Sequence, residues 1–392
     1  MNQSGSVDHQ NRHLHTLALI LITTIATFGT LYLPQPILPE LADQFLVSAS
    51  DAALLVSVTM LPMAVAPIVY GYLLESVPAR RILVWSVAII AICQFLFVWS
   101  TTYLGALTSR LLLGLALPAA FTALMTFCAT SVSRDKVKRI MGLYIATSIV
   151  GGFSGRFISG LTTATIGSRW AFLILGGVLV INWLLLFRLD RNTQTNFAKP
   201  NPGVILGVIQ QPVFLYRYLT IFFVFFVFAG VLNNLPFQLK EIDPELSTTL
   251  VGFIYIGYLV GVLSAIMSDR LVIVLGGERK ALIIGLVVLF VSLCIFYSPD
   301  YNLLLANVFL LSFGMFTCHA VLSSSVNYLA TQNISVTNGL YLAIYYAGGS
   351  LGSWLPSVMY GEVGWPALLG ILMFTVLAAA YCTIRATRDS RW

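Results

Sequence analysis

The chain has 392 residues, of which 58% are hydrophobic and only 9% are Asp, Glu, Lys or Arg. Soluble globular proteins carry roughly 25% charged residues, so this chain has too few polar groups to cover a water-facing surface. Its composition therefore excludes a soluble enzyme, a secreted disulfide scaffold and a disordered protein, and it indicates a polytopic membrane protein.

Twelve stretches are long and apolar enough to be membrane helices, which need about 20 such residues. They are 15–36, 50–74, 81–100, 103–128, 138–161, 168–188, 214–237, 248–268, 280–298, 302–328, 336–360 and 366–386. The first is longer than the apolar region of a signal peptide and ends in Pro34-Gln35-Pro36 without a cleavage site, so we expect an uncleaved span. The fold class is predicted to be all-α with twelve transmembrane helices, because a strand barrel would show alternating segments of about ten residues.

The distribution of Lys and Arg predicts the orientation. If the N-terminus is cytoplasmic, seventeen of the 21 basic residues lie in inner segments, two lie in outer loops and two lie within spans. Basic residues are enriched in cytoplasmic loops, so both termini are expected in the cytoplasm. The same bias explains the net charge of +6 without a nucleic-acid partner.

The longest hydrophilic interior stretch, 189–212, divides the chain into two sets of six spans. We therefore predict a tail (1–14), an N-terminal half (15–188), a cytoplasmic linker (189–212), a C-terminal half (213–386) and a short tail (387–392). The halves repeat each other at an offset of 197 residues. Glycines at that offset are predicted to pack helices closely, and they are Gly151, Gly152 and Gly155 with Gly348, Gly349 and Gly352.

Two motifs resemble those of the major facilitator superfamily. The loop from Gly71 to Arg81 is similar to the family's Gly-x-x-x-Asp-(Arg/Lys)-x-Gly-x-(Arg/Lys)-(Arg/Lys) motif, although Glu75 replaces Asp, Ser76 replaces the base and Pro78 replaces Gly. Arg110 and Gly114 match its Arg-x-x-x-Gly motif. Gly151-Gly152-x-x-Gly155-Arg156 and the His319 region look like the YnfM-type bacterial inner-membrane efflux branch of drug:proton antiporters.

The resemblance implies two pseudo-symmetric six-helix halves and transport by alternating access. It also implies a cytoplasmic gate, in which acidic residues pair with basic residues in corresponding loops of the two halves. The candidates are Gly71, Glu75, Arg80, Arg81, Asp269 and Arg270. The alternative is that these charges are simply solvated.

Arg110, Arg156 and His319 are ionisable residues inside predicted spans, where such residues usually face a cavity or a partner. The two arginines are expected to attract an anion or relay charge in the translocation path, or else to clamp backbone carbonyls. His319 is a candidate proton carrier, because a histidine pKa is easily moved across physiological pH. The alternative is a packed histidine.

Further polar residues are candidate substrate contacts, because the family's cavity is lined by spans 1, 4, 7 and 10. The alternative is that they face lipid or other helices. They are Tyr32, Gln35, Asn233, Asn234 and Asn327.

We therefore predict a secondary transporter of the inner (plasma) membrane that exports a small organic solute or drug in exchange for protons. Uptake or exchange of an organic anion is the alternative, since no Asp or Glu lies deep in a span. A membrane enzyme or sensor is disfavoured, because the sequence shows no nucleophile–base pair and no soluble output domain. We expect a functional monomer with no cofactor, metal or ATP, because nucleotide-binding and metal-ligand spacings are absent from the sequence.

Overall fold

The computed structural model describes residues 3–73, 77–130, 137–189 and 201–387. Two 3-10 segments, Gln35–Ile37 and Ile254–Leu259, accompany the α-helices. The helices are α1 (Gln3–Tyr32), α2 (Leu38–Phe45), α3 (Ala49–Leu73), α4 (Ala79–Trp99), α5 (Tyr103–Thr130), α6 (Val137–Thr165), α7 (Ser168–Leu186), α8 (Pro202–Ile209), α9 (Pro212–Ile242), α10 (Thr248–Phe253), α11 (Val260–Leu275), α12 (Glu278–Ile295), α13 (Tyr301–Leu329) and α14 (Ile334–Ala386).

These helices confirm the prediction of an all-α membrane protein. Eight helices in the described ranges are long and apolar enough to cross a membrane, and Thr248–Ser264 is a shorter apolar helix. α10, the following 3-10 segment and α11 together make one crossing. α14 makes two, because its backbone breaks at Gly364, where φ is 75° and ψ is 174°. We call the end of the bundle where α1 begins the near end, and the opposite end the far end.

The boundaries differ from the predicted spans chiefly at two places. α1 already begins at Gln3, within the predicted tail, although the side chains of residues 3–14 are not among those described. The predicted linker 189–212 contains the short helix α8, whose first turn is capped by the Asn201 side chain accepting from the Gly203 N–H. Residues 190–200 of that linker lie outside the described ranges.

Glycines allow backbone contact between α1 and α6 in the first half. A Cβ atom at Gly155 would lie only 2.3 Å from the carbonyl oxygen of Gly29, and one at Gly151 would lie 2.7 Å from that of Ile25. Both distances are far shorter than van der Waals contact, so only glycine permits this approach. α6 is thereby held directly against the first helix.

The second half repeats this packing between α9 and α14. A Cβ atom at Gly348 would lie 2.4 Å from the carbonyl oxygen of Phe222, and one at Gly352 would lie 2.5 Å from that of Phe226. Residues 222 and 226 follow their counterparts 25 and 29 by the same 197 positions that separate the glycines. The same helix contacts therefore occur at equivalent positions in both halves, in agreement with the repeat in the sequence. Gly349 is packed against the Phe225 ring.

We expect Gly155→Ala to lower the thermal stability of the protein and its transport activity, because the new methyl group would push α6 away from the backbone of α1. Gly142→Ala on the same helix is the matched control, since nothing lies within 4 Å of the position that its new Cβ atom would take. Alanine is favoured over glycine in a helix by about 1 kcal/mol, so the control should melt at the same temperature or higher. Equal melting temperatures of the two variants in detergent would contradict the close contact.

A buried ion pair holds the near end of the second half together. Arg217 donates from Nε and a terminal nitrogen to both carboxylate oxygens of Glu278, at 3.1 and 2.9 Å. The guanidinium also donates to Ser325 Oγ and to the carbonyl oxygen of Ala386. Both charged side chains are almost fully buried. This single arginine therefore connects α9, α12, α13 and α14.

Candidate translocation site

Arg110, on α5, holds the far end of α1 through backbone carbonyls. Its guanidinium donates to the carbonyl oxygens of Thr30, Leu31 and Leu55, at 2.9, 2.8 and 2.9 Å. The Thr30 carbonyl would normally accept from the N–H four residues later, but residue 34 is proline and has none. A cation also suits the negative end of a helix dipole. The described contacts of Arg110 are thus those of a clamp that ends α1.

Arg156, on α6, is buried in a cage of tyrosine rings at the far end. Its guanidinium carbon lies 4.0 Å from the ring centroid of Tyr32, 4.5 Å from that of Tyr258 and 5.1 Å from that of Tyr255. A buried cation over an aromatic face gains about 2 kcal/mol or more. The side chain also donates to the carbonyl oxygen of Gly152, one turn back on its own helix, at 2.9 Å. Tyr32 belongs to α1, whereas the α10–α11 crossing of the second half supplies the other two rings.

Gln35 joins this cage to the second half. Its Oε1 accepts a hydrogen bond of 2.5 Å from Arg156 Nε, and its Nε2 donates to Asn233 Oδ1 on α9. Asn233 in turn donates to the carbonyl oxygen of Ser353 on α14, at 3.2 Å. We call Tyr32, Gln35, Arg156, Asn233 and Tyr258 the junction. It is a continuous chain of polar contacts between the two halves.

Further bonds between the halves lie at the same end. Ser57 on α3 and Ser350 on α14 exchange hydrogen bonds, each hydroxyl also reaching the other residue's carbonyl oxygen at 2.7 and 3.0 Å. Lys240 at the end of α9 lies 3.9 Å from Glu40 on α2. The described contacts that close the far end are therefore neutral hydrogen bonds, one partly exposed ion pair and the cation–π contacts of Arg156 with Tyr255 and Tyr258.

His319, on α13, is held by a tyrosine of the same half. The Tyr341 hydroxyl lies 3.0 Å from His319 Nδ1 and 3.0 Å from its carbonyl oxygen. The imidazole also lies against the Tyr345 ring, at 4.6 Å between centroids. Tyr345 stacks on Phe225 at 4.0 Å with the rings nearly parallel. This arrangement fixes the ring position of a histidine in the interior of the second half.

Aromatic side chains connect His319 to the junction. Phe225 lies beside Phe228. The ring centroid of Phe228 is in turn 5.9 Å from that of Tyr258, one of the rings that contact Arg156. Tyr258 also meets Phe316 edge to face, at 4.9 Å. A wall of rings therefore runs from the far-end cation to the histidine. Such a wall suits a solute with an apolar or flat body.

The structure brings four of the predicted substrate residues together in the junction: Tyr32, Gln35, Arg156 and Asn233. Asn234 lies beside them on α9 but donates to the carbonyl oxygen of Gly230, and its Oδ1 is buried without a hydrogen-bond partner in the described part of the chain. Asn327 lies apart, at the near end of α13, where it accepts from Asn338.

The predicted cytoplasmic gate is described only in part. Glu75 lies outside the described residues, and so do the side chain of Asp269 and the surroundings of Gly71. Arg80 donates to the carbonyl oxygen of Phe187 at 2.6 Å, within the first half. Arg81 and Arg270 are exposed. The described contacts of Arg80 thus join α4 to the end of α7, and pairing between the halves stays a prediction.

Sequence reasoning missed several residues of the far end. Tyr255 and Tyr258 are spaced to share one helix face and could have been found as partners for a buried cation. Ser57, Ser350 and Ser353 carry no signal in the sequence, because serine is common in membrane helices and their contacts join positions nearly 300 residues apart.

A bundle of membrane helices in two repeated halves, with a buried polar junction between them, is typical of a polytopic transport protein. The sequence profile described as Major Facilitator Superfamily matches residues 20–276. The chain therefore belongs to that family. It is a multi-pass membrane transporter, and one of its relatives is an inner membrane transport protein.

Relatives cover nearly the whole chain. The inner membrane transport protein YnfM of Escherichia coli is 27% identical over 395 residues, which cover 96% of this chain and 90% of that protein. The MFS-type transporter YybF of Bacillus subtilis is 24% identical over 365 residues, covering 91% and 89%.

Solved structures share the fold. A bacterial homologue of the human lysosomal transporter Spinster, in an inward-facing and unoccupied conformation, matches with a TM-score of 0.74 at 13% identity and covers 97% of this chain and 98% of that chain. The nucleoside transporter NupG matches with a TM-score of 0.76 at 14% identity, covering 95% and 99%.

Proposed function

We propose that the protein is a secondary transporter that works by alternating access, and that the junction is its far-end gate. The observation that carries this proposal is the chain of hydrogen bonds from Arg156 through Gln35 to Asn233, which crosses between the halves. Contacts of this kind favour one conformation and must break in the other. The solute would then bind beside the aromatic wall, between the junction and His319.

The orientation follows from the basic residues. Since Lys and Arg are concentrated at the near end, we place that end and both termini in the cytoplasm. The closed far end would then face the outside, and the described conformation would be the one that loads solute from the cytoplasm. We propose efflux, in which this conformation takes up the solute from the cytoplasm.

His319 is the proposed proton carrier of that efflux. Tyr341 has a single hydroxyl proton and two acceptors within 3.0 Å. If it donates to the His319 carbonyl oxygen, its own oxygen accepts from Nδ1–H, and Nε2 keeps a free lone pair. Nε2 would then take up a proton when the site opens to the acidic side, and the exchange would be a proton antiport.

The test uses inside-out vesicles with an acidified lumen, a pH-sensitive dye and a panel of drugs, sugars and organic acids. Addition of a transported solute should release protons from the lumen, and this response should be absent with empty vector. His319→Ala should abolish the response, whereas Asn327→Ala, at the near end and away from the junction, should keep it. Proton release that persists in His319→Ala would contradict the proton role.

Exchange or uptake of an organic anion is a second candidate, favoured by the surroundings of Arg156. Its described partners are the neutral Gln35, a backbone carbonyl and tyrosine rings, and none of them is a carboxylate. An isolated cation in a membrane protein is costly and would be stabilised by an anionic solute. Transport of a cationic dye that survives Arg156→Ala would argue against this candidate.

A further inference from the structure

A cavity of about 330 Å³ lies at the near end, on the outer surface of the first half. It is formed where α4 begins and α7 ends, and its lining includes Arg80, Arg81, Trp85, Trp183 and Phe187. It is separate from the junction, which is at the opposite end of the bundle. Its two arginines are also candidates for the predicted cytoplasmic gate, but the far-end gate and the proton step proposed above do not use the cavity.

The described lining of the cavity is positively charged. Two arginines line it, and no described carboxylate forms an ion pair with either of them. Arg80 is fixed, because one terminal nitrogen donates to the Phe187 carbonyl oxygen and its guanidinium carbon lies 5.7 Å from the Phe187 ring centroid. Its Nε is buried without a hydrogen-bond partner among the described residues. The site therefore holds a positioned cation with an unused donor.

The surface that leads away from the cavity towards the bilayer centre is apolar and exposed. On α4, Trp85 is 63% exposed, and Ile89 and Ile92 follow it at helical spacing with 42% and 55% exposed. On α7, Leu184 and Ile181 are 57% and 59% exposed. Tryptophan side chains are favoured at the level of lipid headgroups. A cationic cavity at the depth of the lipid headgroups is thus followed by two exposed apolar stripes, one on α4 and one on α7. Such stripes can contact lipid acyl chains.

We propose that this cavity binds the headgroup phosphate of an anionic phospholipid, with Arg80 and Arg81 as its phosphate ligands and the exposed stripes of α4 and α7 as the contact for its acyl chains. Arginine suits this role because its planar fork of donors matches phosphate oxygens. The proposal is independent of the transported solute and of the direction of transport.

The test reconstitutes the full chain in phosphatidylcholine vesicles that contain a small, equal fraction of brominated phosphatidylglycerol or brominated phosphatidylcholine. Bromine quenches tryptophan fluorescence at short range, and the difference between wild type and Trp85→Phe isolates the signal of Trp85. We expect brominated phosphatidylglycerol to quench Trp85 several-fold more than brominated phosphatidylcholine does. The double variant Arg80→Gln/Arg81→Gln should lose this preference.

Arg188→Gln is the matched control, because Arg188 is exposed next to Phe187 but does not line the cavity, and it should keep the preference. Unchanged quenching by brominated phosphatidylcholine would show that the double variant is folded. Equal quenching of wild type by both lipids, or a preference that survives the double variant, would overturn the proposal. A site that binds free phosphate and no lipid would show no preference between the two brominated lipids.

Discussion

Oxidation of a Ser57→Cys/Ser350→Cys variant is expected to stop transport, and reduction is expected to restore it. The two hydroxyl oxygens lie 3.1 Å apart across the halves, so cysteines at these positions are close enough to form a disulfide bond. That bond would hold the far end closed. Transport would be measured in vesicles before and after oxidation, in a background where the native cysteines are replaced by alanine, namely Cys93, Cys128, Cys294, Cys318 and Cys382.

A cysteine pair at Thr220 and Thr383 is the matched control. These hydroxyl oxygens are 3.5 Å apart, but both residues belong to the second half. Cross-linking them should leave transport unchanged, because a half that moves as a unit does not need to break this contact. Full transport by the completely cross-linked Ser57→Cys/Ser350→Cys variant would show that the far end does not open during the cycle.

Replacement of Arg110 and of Arg156 by methionine is expected to separate stability from transport. Arg110→Met takes the guanidinium donor from the Thr30 and Leu31 carbonyl oxygens, at about 1–3 kcal/mol each, so the variant should melt at a clearly lower temperature or fail to accumulate. The Leu55 carbonyl oxygen keeps the Thr59 hydroxyl as a donor. Arg156→Met removes one bond to Gln35 and one to a carbonyl of its own helix. That variant should stay folded and lose at least tenfold in transport rate.

Melting in detergent and uptake into vesicles would be measured side by side for both variants. Arg156→Lys supplies a further comparison, since lysine keeps the charge but loses the planar fork of donors. Partial activity in this variant would indicate that the charge itself matters. A stable, fully active Arg156→Met protein would remove Arg156 from the translocation site.

Most of the fold follows from the sequence, because each membrane helix must satisfy its own backbone and must be long and apolar. The predicted span 168–188 is helix Ser168–Leu186, and 302–328 is Tyr301–Leu329. The positions of close helix packing could also be predicted, because glycines that repeat at a fixed offset allow neighbouring helices to approach closely. The repeat did not predict that Gly155 packs against Gly29, because this contact depends on how α1 and α6 cross.

The site was less predictable, because its residues come from distant parts of the chain. Arg110 and Arg156 are alike in the sequence, yet one meets three carbonyl oxygens and the other meets tyrosine rings. Pro34 could have indicated the environment of Arg110, because it leaves the Thr30 carbonyl oxygen without its helical N–H donor. Arg217 and Glu278 look like loop charges near helix ends, and only the packing of four helices shows that they are buried partners.

The contacts between the halves at the far end set an energy scale for the transport cycle. A neutral hydrogen bond contributes about 1 kcal/mol and an exposed ion pair less, so the Gln35–Asn233 bond, the Ser57–Ser350 pair and the Lys240–Glu40 contact together contribute only a few kcal/mol. The cation–π contacts of Arg156 with the second half add about 2 kcal/mol or more. One elementary charge moving through 100 mV supplies about 2.3 kcal/mol. The contacts that close the far end therefore amount to the energy that a few elementary charges supply when they move through such a potential.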